Sequence, residues 1–267
     1  MTSAANDTLP RIIELKNVSQ SYNDGKIQVI KDLNMEILDK PAQGQFAILL
    51  GMSGCGKSTL LRYIAGLQKP TSGTVLLNGK PVGPDNRASM VFQEYSSLPW
   101  MTVLDNVALP LKFKGIDQKE RNAQAMEMIE MVGLKGQENK YAIYPNLSGG
   151  QLQRVAIARS LLANSSVLLM DEPFGALDIK TRLQMQELLT DIWNKFHSTI
   201  LFVTHDISEA VFLGDEIFIM KAPPSNIVDQ IDVNLPLKRT RDMKRDPKFL
   251  EIVHQIEDRM VNLSSSK

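Results

Sequence analysis

The chain has 267 residues, of which 43% are hydrophobic and 22% charged, a composition typical of a globular protein with one large core or two small ones. Basic and acidic residues both number 30, so the zero net charge provides no general attraction to nucleic acid or to an anionic membrane. No apolar stretch approaches the length of about 18 residues that a membrane span needs, and the N-terminus lacks a signal-peptide pattern. We therefore expect any connection with a membrane to run through a partner protein.

The first regular elements are predicted to be two strands that follow a loose leader over residues 1–10. Hydrophobic residues alternate along residues 12–19 and 29–37, and the turn sequence Asn23-Asp24-Gly25 lies between them. This pattern predicts an antiparallel pair of strands. Tyr22 lies at the end of the first strand, where an aromatic residue is typical of a packed strand surface.

A glycine-rich segment from Gly51 to Thr59 follows the apolar run of residues 46–50 and precedes a helical pattern at residues 60–65. It fits the pattern G-x-x-x-x-G-K-[ST] of phosphate-binding loops. Glycines allow backbone N–H groups to surround a polyphosphate, and the next helix directs the positive end of its dipole towards the same point. We expect Lys57 to bridge the β and γ phosphates and Ser58 to supply an oxygen to Mg²⁺.

The flanking strand and helix favour a phosphate-binding loop over the alternative, a plain glycine-rich turn. Average residue usage gives the bare pattern a chance of about one per cent in a chain of this length. Cys55 is the only cysteine, so it cannot form an internal disulfide, which is consistent with a reducing compartment. The predicted loop consists of Gly51, Met52, Ser53, Gly54, Cys55, Gly56, Lys57, Ser58 and Thr59.

The middle of the chain changes from strands to helices. Short strands are predicted at residues 74–77 and 88–92, and the second ends at Gln93. The apolar segment from Leu98 to Met101 is either a loop over the core or a docking surface for a second protein, and the sequence leaves both readings open. Helical spacing over residues 103–134 then predicts a helical subdomain.

A second candidate anion site lies at the sequence Leu147-Ser148-Gly149-Gly150-Gln151, just before an amphipathic pattern at residues 152–162. Ser148 is suited to cap this helix, and the glycines leave backbone N–H donors accessible to an anion. An ordinary capped helix with two turn glycines is the alternative. The two phosphate-binding helix starts lie about ninety residues apart. Either the chain binds two ligands, or one ligand is shared between two copies of the chain.

Polar residues follow the predicted core strands. The apolar run of residues 167–170 ends at Asp171 and Glu172, and the next apolar run ends just before His205. Ligand sites in open α/β sheets lie at the carboxyl ends of the strands. Asp171 is expected to hold Mg²⁺ through water, and Glu172 to orient or deprotonate a water that attacks the γ phosphate. With Gln93, these strand ends could converge on one phosphate; two acids in a simple turn are the alternative.

The C-terminal part is less informative about function. Residues 227–235 are predicted as an edge strand, and the final hydrophobic pattern predicts an amphipathic helix. The basic segment of residues 238–245 is interpreted as a solvated charge run, with contact to anionic lipid as the alternative. His197 and His254 are expected to be structural.

Together, these motifs resemble the ATP-binding subunit of ATP-binding-cassette (ABC) transporters. The resemblance extends from Ile12 to about Met220. The segment from Leu147 to Gln151 is expected by chance about a hundred times less often than the phosphate-loop pattern. It implies an α/β fold: a P-loop NTPase core with a mostly parallel sheet, an N-terminal antiparallel β subdomain and a helical subdomain. The expected single domain, 1–267, is divided into a core at 12–94 and 165–235, a helical subdomain at 95–164, and a C-terminal basic stretch and helix at 236–267.

The resemblance also implies the roles of individual residues in the chemistry. Glu172 would be the general base and His205 a sensor of the γ phosphate. Gln93 and Asp171 would address Mg²⁺ and the attacking water. The implied metal ligands are Ser58, Gln93 and Asp171.

For the nucleotide, the resemblance implies a site shared between two chains. Tyr22 would stack on adenine, and Gly51 to Thr59 would hold the phosphates of ATP. Asp178 would communicate across the interface of an antiparallel homodimer that encloses two ATP molecules. The site of the opposite protomer would be completed by Ser148, Gly149, Gly150 and Gln151.

The segment from Phe92 to Val107 is similar to the importer branch that handles nitrate, sulfonates, taurine or bicarbonate. This similarity implies two integral-membrane permease subunits, an extracytoplasmic solute-binding protein, and a peripheral position on the cytoplasmic face of the inner membrane. It also favours a docking role for the segment from Leu98 to Met101, which would receive a cytoplasmic permease helix. In one departure from the family pattern, only Asn146 separates Tyr144-Pro145 from Leu147, where two residues are expected.

Two rival functions rank below the transporter subunit. A soluble ABC-type ATPase acting on nucleic acid or another macromolecule would call for a long coiled-coil insertion, a second cassette or a basic face. The sequence contains none of these features, so nucleic acid is not an expected partner. A P-loop kinase would not call for the segment from Leu147 to Gln151.

Overall fold

The structure is a computed structural model of the chain. It describes residues 9–23, 26–40, 44–163, 165–196 and 198–265. Most of the predicted leader, the Asp24-Gly25 part of the first turn and His197 lie outside the described residues. None of the helices in these ranges combines the length and apolar character needed to cross a membrane.

The strands form two sheets. Their bounds are β1 Arg11–Tyr22, β2 Ile27–Leu38, β3 Phe46–Gly51, β4 Ser72–Leu77, β5 Lys80–Pro81, β6 Ser89–Val91, β7 Val167–Asp171, β8 Thr199–Thr204, β9 Glu216–Met220 and β10 Ile227–Asp232. A four-stranded sheet with the order β2-β1-β4-β5 is antiparallel throughout. A six-stranded sheet with the order β10-β9-β3-β8-β7-β6 is parallel except for its edge strand β10. The predicted antiparallel β part, mostly parallel core sheet and late edge strand are confirmed.

The described residues also form seven α-helices and one 3₁₀ helix. Their bounds are α1 Lys57–Ile64, α2 Val103–Phe113, α3 Gln118–Met131, α4 Gly149–Leu162, α5 Ile179–Phe196, α6 Ile207–Leu213 and α7 Pro247–Ser265, with a 3₁₀ helix at Arg241–Arg245 before α7. The region 103–134, predicted as helical, contains two helices, α2 and α3. Gly115 has a φ of 77°, a left-handed backbone conformation that ends the first helix, and Asp117 caps the start of the second.

The central strands of the parallel sheet are buried on both faces, which explains why they appear in the sequence as continuous apolar runs. Alternate residues of β3 face opposite sides of the sheet. Phe46, Ile48 and Leu50 belong to a hydrophobic cluster with residues of α4, α5 and α6. Ala47 and Leu49 belong to a second cluster with residues of β1, β2 and α1.

The parallel register aligns the carboxyl ends of β3, β7 and β8 at one edge of the sheet. Leu50 is paired with Thr204, and Asp171 is paired with Val203. The chain leaves β3 through the glycine-rich loop, leaves β7 at Glu172, and leaves β8 at His205. Three of the predicted site segments therefore follow neighbouring strand ends.

The basic segment of residues 238–245 is mostly exposed, as predicted, but Arg239 and Lys244 are exceptions. Arg239 is buried, and its Nη2 lies 3.4 Å from Asp215 Oδ1. The Nη2 of Arg241 lies 2.6 Å from Glu187 Oε2. Lys244 Nζ donates to Gln186 Oε1 over 2.9 Å. The segment packs against α5 and the start of β9 because carboxylate and amide acceptors there compensate its charges.

Candidate nucleotide-binding site

The glycine-rich loop encloses the start of α1. Gly56 has a φ of 88°, a left-handed conformation that side chains rarely adopt, and it immediately precedes the first residue of the helix. A Cβ on Gly51 would lie 2.7 Å from the carbonyl oxygen of Met220, so the loop also contacts the end of β9 closely. This backbone leaves the N-terminus of α1 available to an anion, as the phosphate-loop motif requires.

Lys57 is folded back over the loop and is only 4% exposed. Its Nζ donates to the carbonyl oxygens of Gly51 and Met52, over 2.8 Å and 3.1 Å, and lies 3.6 Å from Glu172 Oε1. A buried ammonium group needs such partners because desolvation without them is costly. The oxygen atoms around this cation show that the site stabilises a positive charge where the motif expects phosphate oxygens.

Ser58 and Asp171 meet where the loop approaches the end of β7. Ser58 Oγ donates to Asp171 Oδ1 over 2.8 Å, and the Asp171 carboxylate is almost fully buried. Burial raises the pKa of Asp171, while the hydrogen bond from Ser58 opposes that increase. A hydroxyl and a buried carboxylate in contact form an oxygen donor set that fits Mg²⁺, which prefers oxygen ligands and retains several waters. Within the described ranges, this site included, no cluster of three or more His, Cys, Asp or Glu side chains could hold a metal ion.

Glu172 and His205 form a pair beside the phosphate loop. The Nδ1 of His205 lies 3.0 Å from Glu172 Oε2. Glu172 has a φ of 41°, an unusual conformation for a residue other than glycine, and its N–H donates to the carbonyl oxygen of Val203 over 3.1 Å. Strained residues held by their surroundings are concentrated at functional sites. A cavity of about 50 Å³, lined in part by Glu172 and His205, is large enough for a water.

The helix start at Ser148 has the predicted cap. Ser148 Oγ accepts from the N–H of Gln151 over 3.3 Å, and Gln151 Oε1 accepts from the N–H of Ser148 over 2.9 Å. This reciprocal capping box forms although the approach through Asn146 is one residue shorter than expected. A Cβ on Gly149 would lie 2.1 Å from the hydroxyl of Tyr95, so this position accepts only glycine without movement of the tyrosine.

Comparison with known proteins identifies the family. The ABC transporter family model matches residues 30–175. The chain belongs to the ABC transporter family. The predictions of an ATP-binding subunit and of an ATPase with the ABC ATPase fold are thereby confirmed.

Individual relatives of this ABC protein agree with that assignment. The nitrate import ATP-binding protein of Synechocystis is 47% identical over 240 residues, which cover 87% of this chain and 88% of the relative. The taurine import ATP-binding protein of Rhizobium johnstonii is 44% identical over 235 residues, covering 86% and 88%. A solved dimeric structure of a bacterial ABC transporter cassette has a TM-score of 0.71 and 35% identity, and covers 84% of this chain and all of that one. A dimeric post-hydrolysis cassette with ADP and Pi has the same TM-score and 33% identity, over 84% of this chain.

The remaining predicted residues of this ABC cassette do not belong to the cluster around Lys57. Tyr22, at the end of β1, is 46% exposed, and Gln93 is exposed after β6. In the described part of the chain, the side-chain hydrogen bonds of Ser148 and Gln151 join them to each other and not to the phosphate loop. Asp178 Oδ1 accepts from the N–H of Thr181 over 3.0 Å. Hydrogen bonds from the side chain and the backbone of Thr181 lower the pKa of Asp178.

Sequence reasoning missed two contributors to the site. Tyr95 contacts Gly149 from 54 positions earlier in the chain, and no local pattern indicates this contact. Glu209 is buried below His205, where its carboxylate accepts from Thr204 Oγ1 over 2.6 Å. Its position three residues after Asp206 matches a helix-capping pattern, which could have drawn attention to it.

Proposed function

We propose that this ABC protein is the ATP-hydrolysing subunit of an importer for a small anion of the nitrate or sulfonate class. The observation that carries the ATPase chemistry is the contact of Lys57, Ser58, Asp171, Glu172 and His205 at neighbouring strand ends. The direction of transport and the anion class are supported by the names of the nitrate and taurine import relatives.

In the proposed mechanism, the phosphates of ATP replace the loop's own carbonyl oxygens as acceptors for Lys57. Ser58, Asp171 and Gln93 would hold Mg²⁺, which neutralises charge on the phosphates when it is bound. Tyr22, with almost half of its surface exposed, offers a face for stacking on adenine. Glu172 accepts a proton from the attacking water as the general base.

The hydrogen bond between His205 and Glu172 suggests how the base is controlled. While His205 Nδ1 lies 3.0 Å from Glu172 Oε2, one oxygen of the base is engaged. A γ phosphate offers His205 a more strongly charged acceptor. We infer that His205 moves its hydrogen bond from Glu172 to the γ phosphate when ATP binds. The Glu172 carboxylate is then free to orient the water.

The proposed assembly is a homodimer in which each ATP lies between two chains. Ser148, Gly149, Gly150 and Gln151 would bind the γ phosphate of the partner's ATP through the N-terminus of α4. The accessible glycine N–H groups and the capped helix support this role. Asp178 lies at the start of α5, and a Cβ on Gly150 would lie 2.5 Å from the methyl group of Thr181 on that same helix turn. A change at the interface near Asp178 would therefore reach the segment from Ser148 to Gln151.

The proposed permease-docking surface consists of exposed apolar residues near the start of α2. Trp100 is 70% exposed, and Tyr144 is 74% exposed. The N–H and carbonyl of Leu98 are both hydrogen-bonded to the buried side chain of Asn106, so the loop that carries Trp100 is anchored. An anchored loop with an exposed aromatic residue suits the binding of a helix of another protein. Through the two permease subunits, the protein would be peripheral to the cytoplasmic face of the inner membrane and would work with an extracytoplasmic solute-binding protein.

Copurification from membranes of the native cell tests this proposal. We expect the tagged chain to retain an integral-membrane permease, and we expect Trp100→Glu to lose it. Phe113→Glu, at another exposed aromatic residue, serves as the matched control. Uptake of labelled nitrate and taurine in cells with and without the chain then assigns the anion. Recovery of soluble or nucleic-acid-bound partners alone would instead favour an ATPase that acts on a macromolecule.

A further inference from the structure

A buried chain of hydrogen bonds begins in the 3₁₀ helix Arg241–Arg245, close to the C-terminus. Lys244 Nζ donates to Gln186 Oε1 over 2.9 Å. Gln186 Nε2 in turn donates to Glu209 Oε1 over 2.9 Å. Gln186 is 2% exposed and Glu209 is 6% exposed, so water does not replace these partners. The C-terminal segment is thereby joined to α5 and to α6.

The chain of hydrogen bonds continues to the end of β8. Thr204 Oγ1 donates to Glu209 Oε2 over 2.6 Å. The N–H of Asp206 donates to Thr204 Oγ1 over 3.0 Å. Thr204 and Asp206 are the two neighbours of His205, so the network ends on the backbone that carries the residue paired with Glu172.

Both carboxylate oxygens of Glu209 have a hydrogen-bond partner. Gln186 Nε2 donates to one oxygen, and the Thr204 hydroxyl is bonded to the other. Burial raises the pKa of Glu209, and the hydrogen bonds from Thr204 and Gln186 oppose that increase. The Lys244 ammonium lies at the far side of the Gln186 amide. Burial lowers the pKa of Lys244, and the negative charges of Asp206 and Glu209 oppose that decrease.

Lys244 belongs to the basic segment of residues 238–245. It is half-buried, and its Nζ lies 4.7 Å from the centre of the Phe212 ring. A lysine that served only solubility would remain in water, because burial removes the hydration of its charge. The hydrogen bonds of this lysine connect it, through Gln186 and Glu209, to Thr204 beside His205.

We propose that Lys244 is a positioning residue that orients His205 through Gln186, Glu209 and Thr204. This inference rests on the proposed role of His205 at the γ phosphate. Without the Lys244 ammonium, Gln186 Oε1 loses its donor, and the amide no longer has a fixed orientation towards Glu209. The Thr204 hydroxyl and the backbone after it then lose a fixed acceptor, and His205 moves relative to Glu172.

The position of this network predicts which kinetic constant changes. The phosphate loop makes no hydrogen bond to Lys244, Gln186 or Glu209 within the described residues. Substitution of Lys244 should therefore affect turnover more than ATP binding. A general loss of packing would instead lower thermal stability and affect both constants.

The test is ATP hydrolysis by the full-length chain with Lys244→Met, beside the control Lys238→Met at an exposed cation six positions earlier. We expect kcat to fall about tenfold, which corresponds to about 1.4 kcal/mol of activation free energy, with KM for ATP changed less than about twofold. Lys244→Arg, which keeps the charge and the donors, should recover most of the loss. Unchanged kcat in Lys244→Met, or an equal loss in Lys238→Met, would overturn the inference.

A double-mutant cycle tests the route through Gln186. In a Gln186→Leu background, Lys244→Met should have little further effect on kcat, because the connection is already broken. Additive losses would overturn the proposed route. If Lys244→Met does not fold, Lys244→Gln, which keeps an amide donor but removes the charge, is measured against the same criteria.

A His205→Ala variant separates this inference from the proposed function. If His205→Ala abolishes hydrolysis while Lys244→Met has no effect, only the positioning role is refuted. If His205→Ala hydrolyses ATP at the normal rate, the proposed role of His205 is refuted, and the positioning role is refuted with it.

Discussion

Replacing Glu172 by glutamine removes the proposed general base while keeping the shape of its side chain. In the unsubstituted chain, Glu172 Oε1 lies 3.6 Å from Lys57 Nζ and Glu172 Oε2 lies 3.0 Å from His205 Nδ1. Glutamine can retain one acceptor at this place but cannot take up a proton from water. The left-handed φ of 41° is equally unfavourable for both residues, so the backbone contributes little to the difference.

Glu172→Gln should change the rate of ATP hydrolysis much more than the affinity for ATP. Loss of a positioned base lowers the rate by about 10² to 10⁴, equivalent to about 3 to 5 kcal/mol. The contact between Lys57 and Glu172 is long, at 3.6 Å, and Lys57 keeps the carbonyl oxygens of Gly51 and Met52 as acceptors when the charge of Glu172 is removed. Removing a negative charge beside the γ phosphate also favours ATP. We therefore expect turnover to collapse while the affinity for ATP is unchanged or higher.

Phosphate release under single-turnover conditions, together with light scattering, measures both effects. Glu172→Gln should form a stable dimer on addition of ATP, because the proposed bridge between the chains is no longer hydrolysed. Glu127→Gln, at an exposed position on α3, is the matched control and should behave like the unsubstituted chain. Turnover within tenfold of normal in Glu172→Gln would refute the role of Glu172 as the base.

Three further substitutions test other parts of the site and the fold. Ser58→Ala removes the hydroxyl that donates to the buried carboxylate of β7 over 2.8 Å, and we expect it to raise the Mg²⁺ concentration needed for half-maximal hydrolysis by about tenfold; a normal Mg²⁺ titration would argue against a metal ligand here. Gly149→Ala places a Cβ 2.1 Å from the Tyr95 hydroxyl and should abolish ATP-driven dimerisation. Addition of Tyr95→Ala to this variant should restore part of the dimerisation. Normal dimerisation of Gly149→Ala, or no recovery in the double variant, would show that this contact is unimportant. Arg239→Met leaves the partly buried carboxylate of Asp215 without its cation, 3.4 Å away, and should lower the free energy of unfolding by about 3 kcal/mol in thermal or urea denaturation; a change below about 1 kcal/mol would mean that the pair is not stabilising.

The parts of the fold that sequence reasoning predicted well are those with short-range signals. The apolar run before Gly51 and the one before Asp171 identify strands buried on both faces, because parallel strands covered by helices need no polar face. Ser148 and Gln151 are three residues apart, and their capping box follows from that spacing alone. Ser58 and Asp171 were both predicted to lie at a Mg²⁺ site, and in the structure they are joined by a hydrogen bond.

The parts that sequence reasoning missed depend on contacts between distant positions. The charges of Arg239 and Lys244 are compensated by Asp215 and Gln186, 24 and 58 positions away, so the local composition does not reveal that these two residues are packed against the core. Helical spacing continues across Gly115, and only the backbone turn there separates α2 from α3. A local pattern predicts the secondary structure of a segment, whereas the positions of these side chains depend on contacts with residues far away in the sequence.

Mixing two inactive variants tests the shared nucleotide site most directly. In a Glu172→Gln background, Lys57→Ala disables the phosphate loop of one chain, and Gly149→Ala disables the segment from Ser148 to Gln151 of the other. The mixed dimer has one ATP site with both defects and one intact site, formed by the loop of one chain and the segment of the other. We predict that neither variant dimerises alone with ATP, and that the mixture forms a dimer that binds one ATP. A mixture that remains monomeric, with each variant folded, would contradict an ATP site shared between two chains.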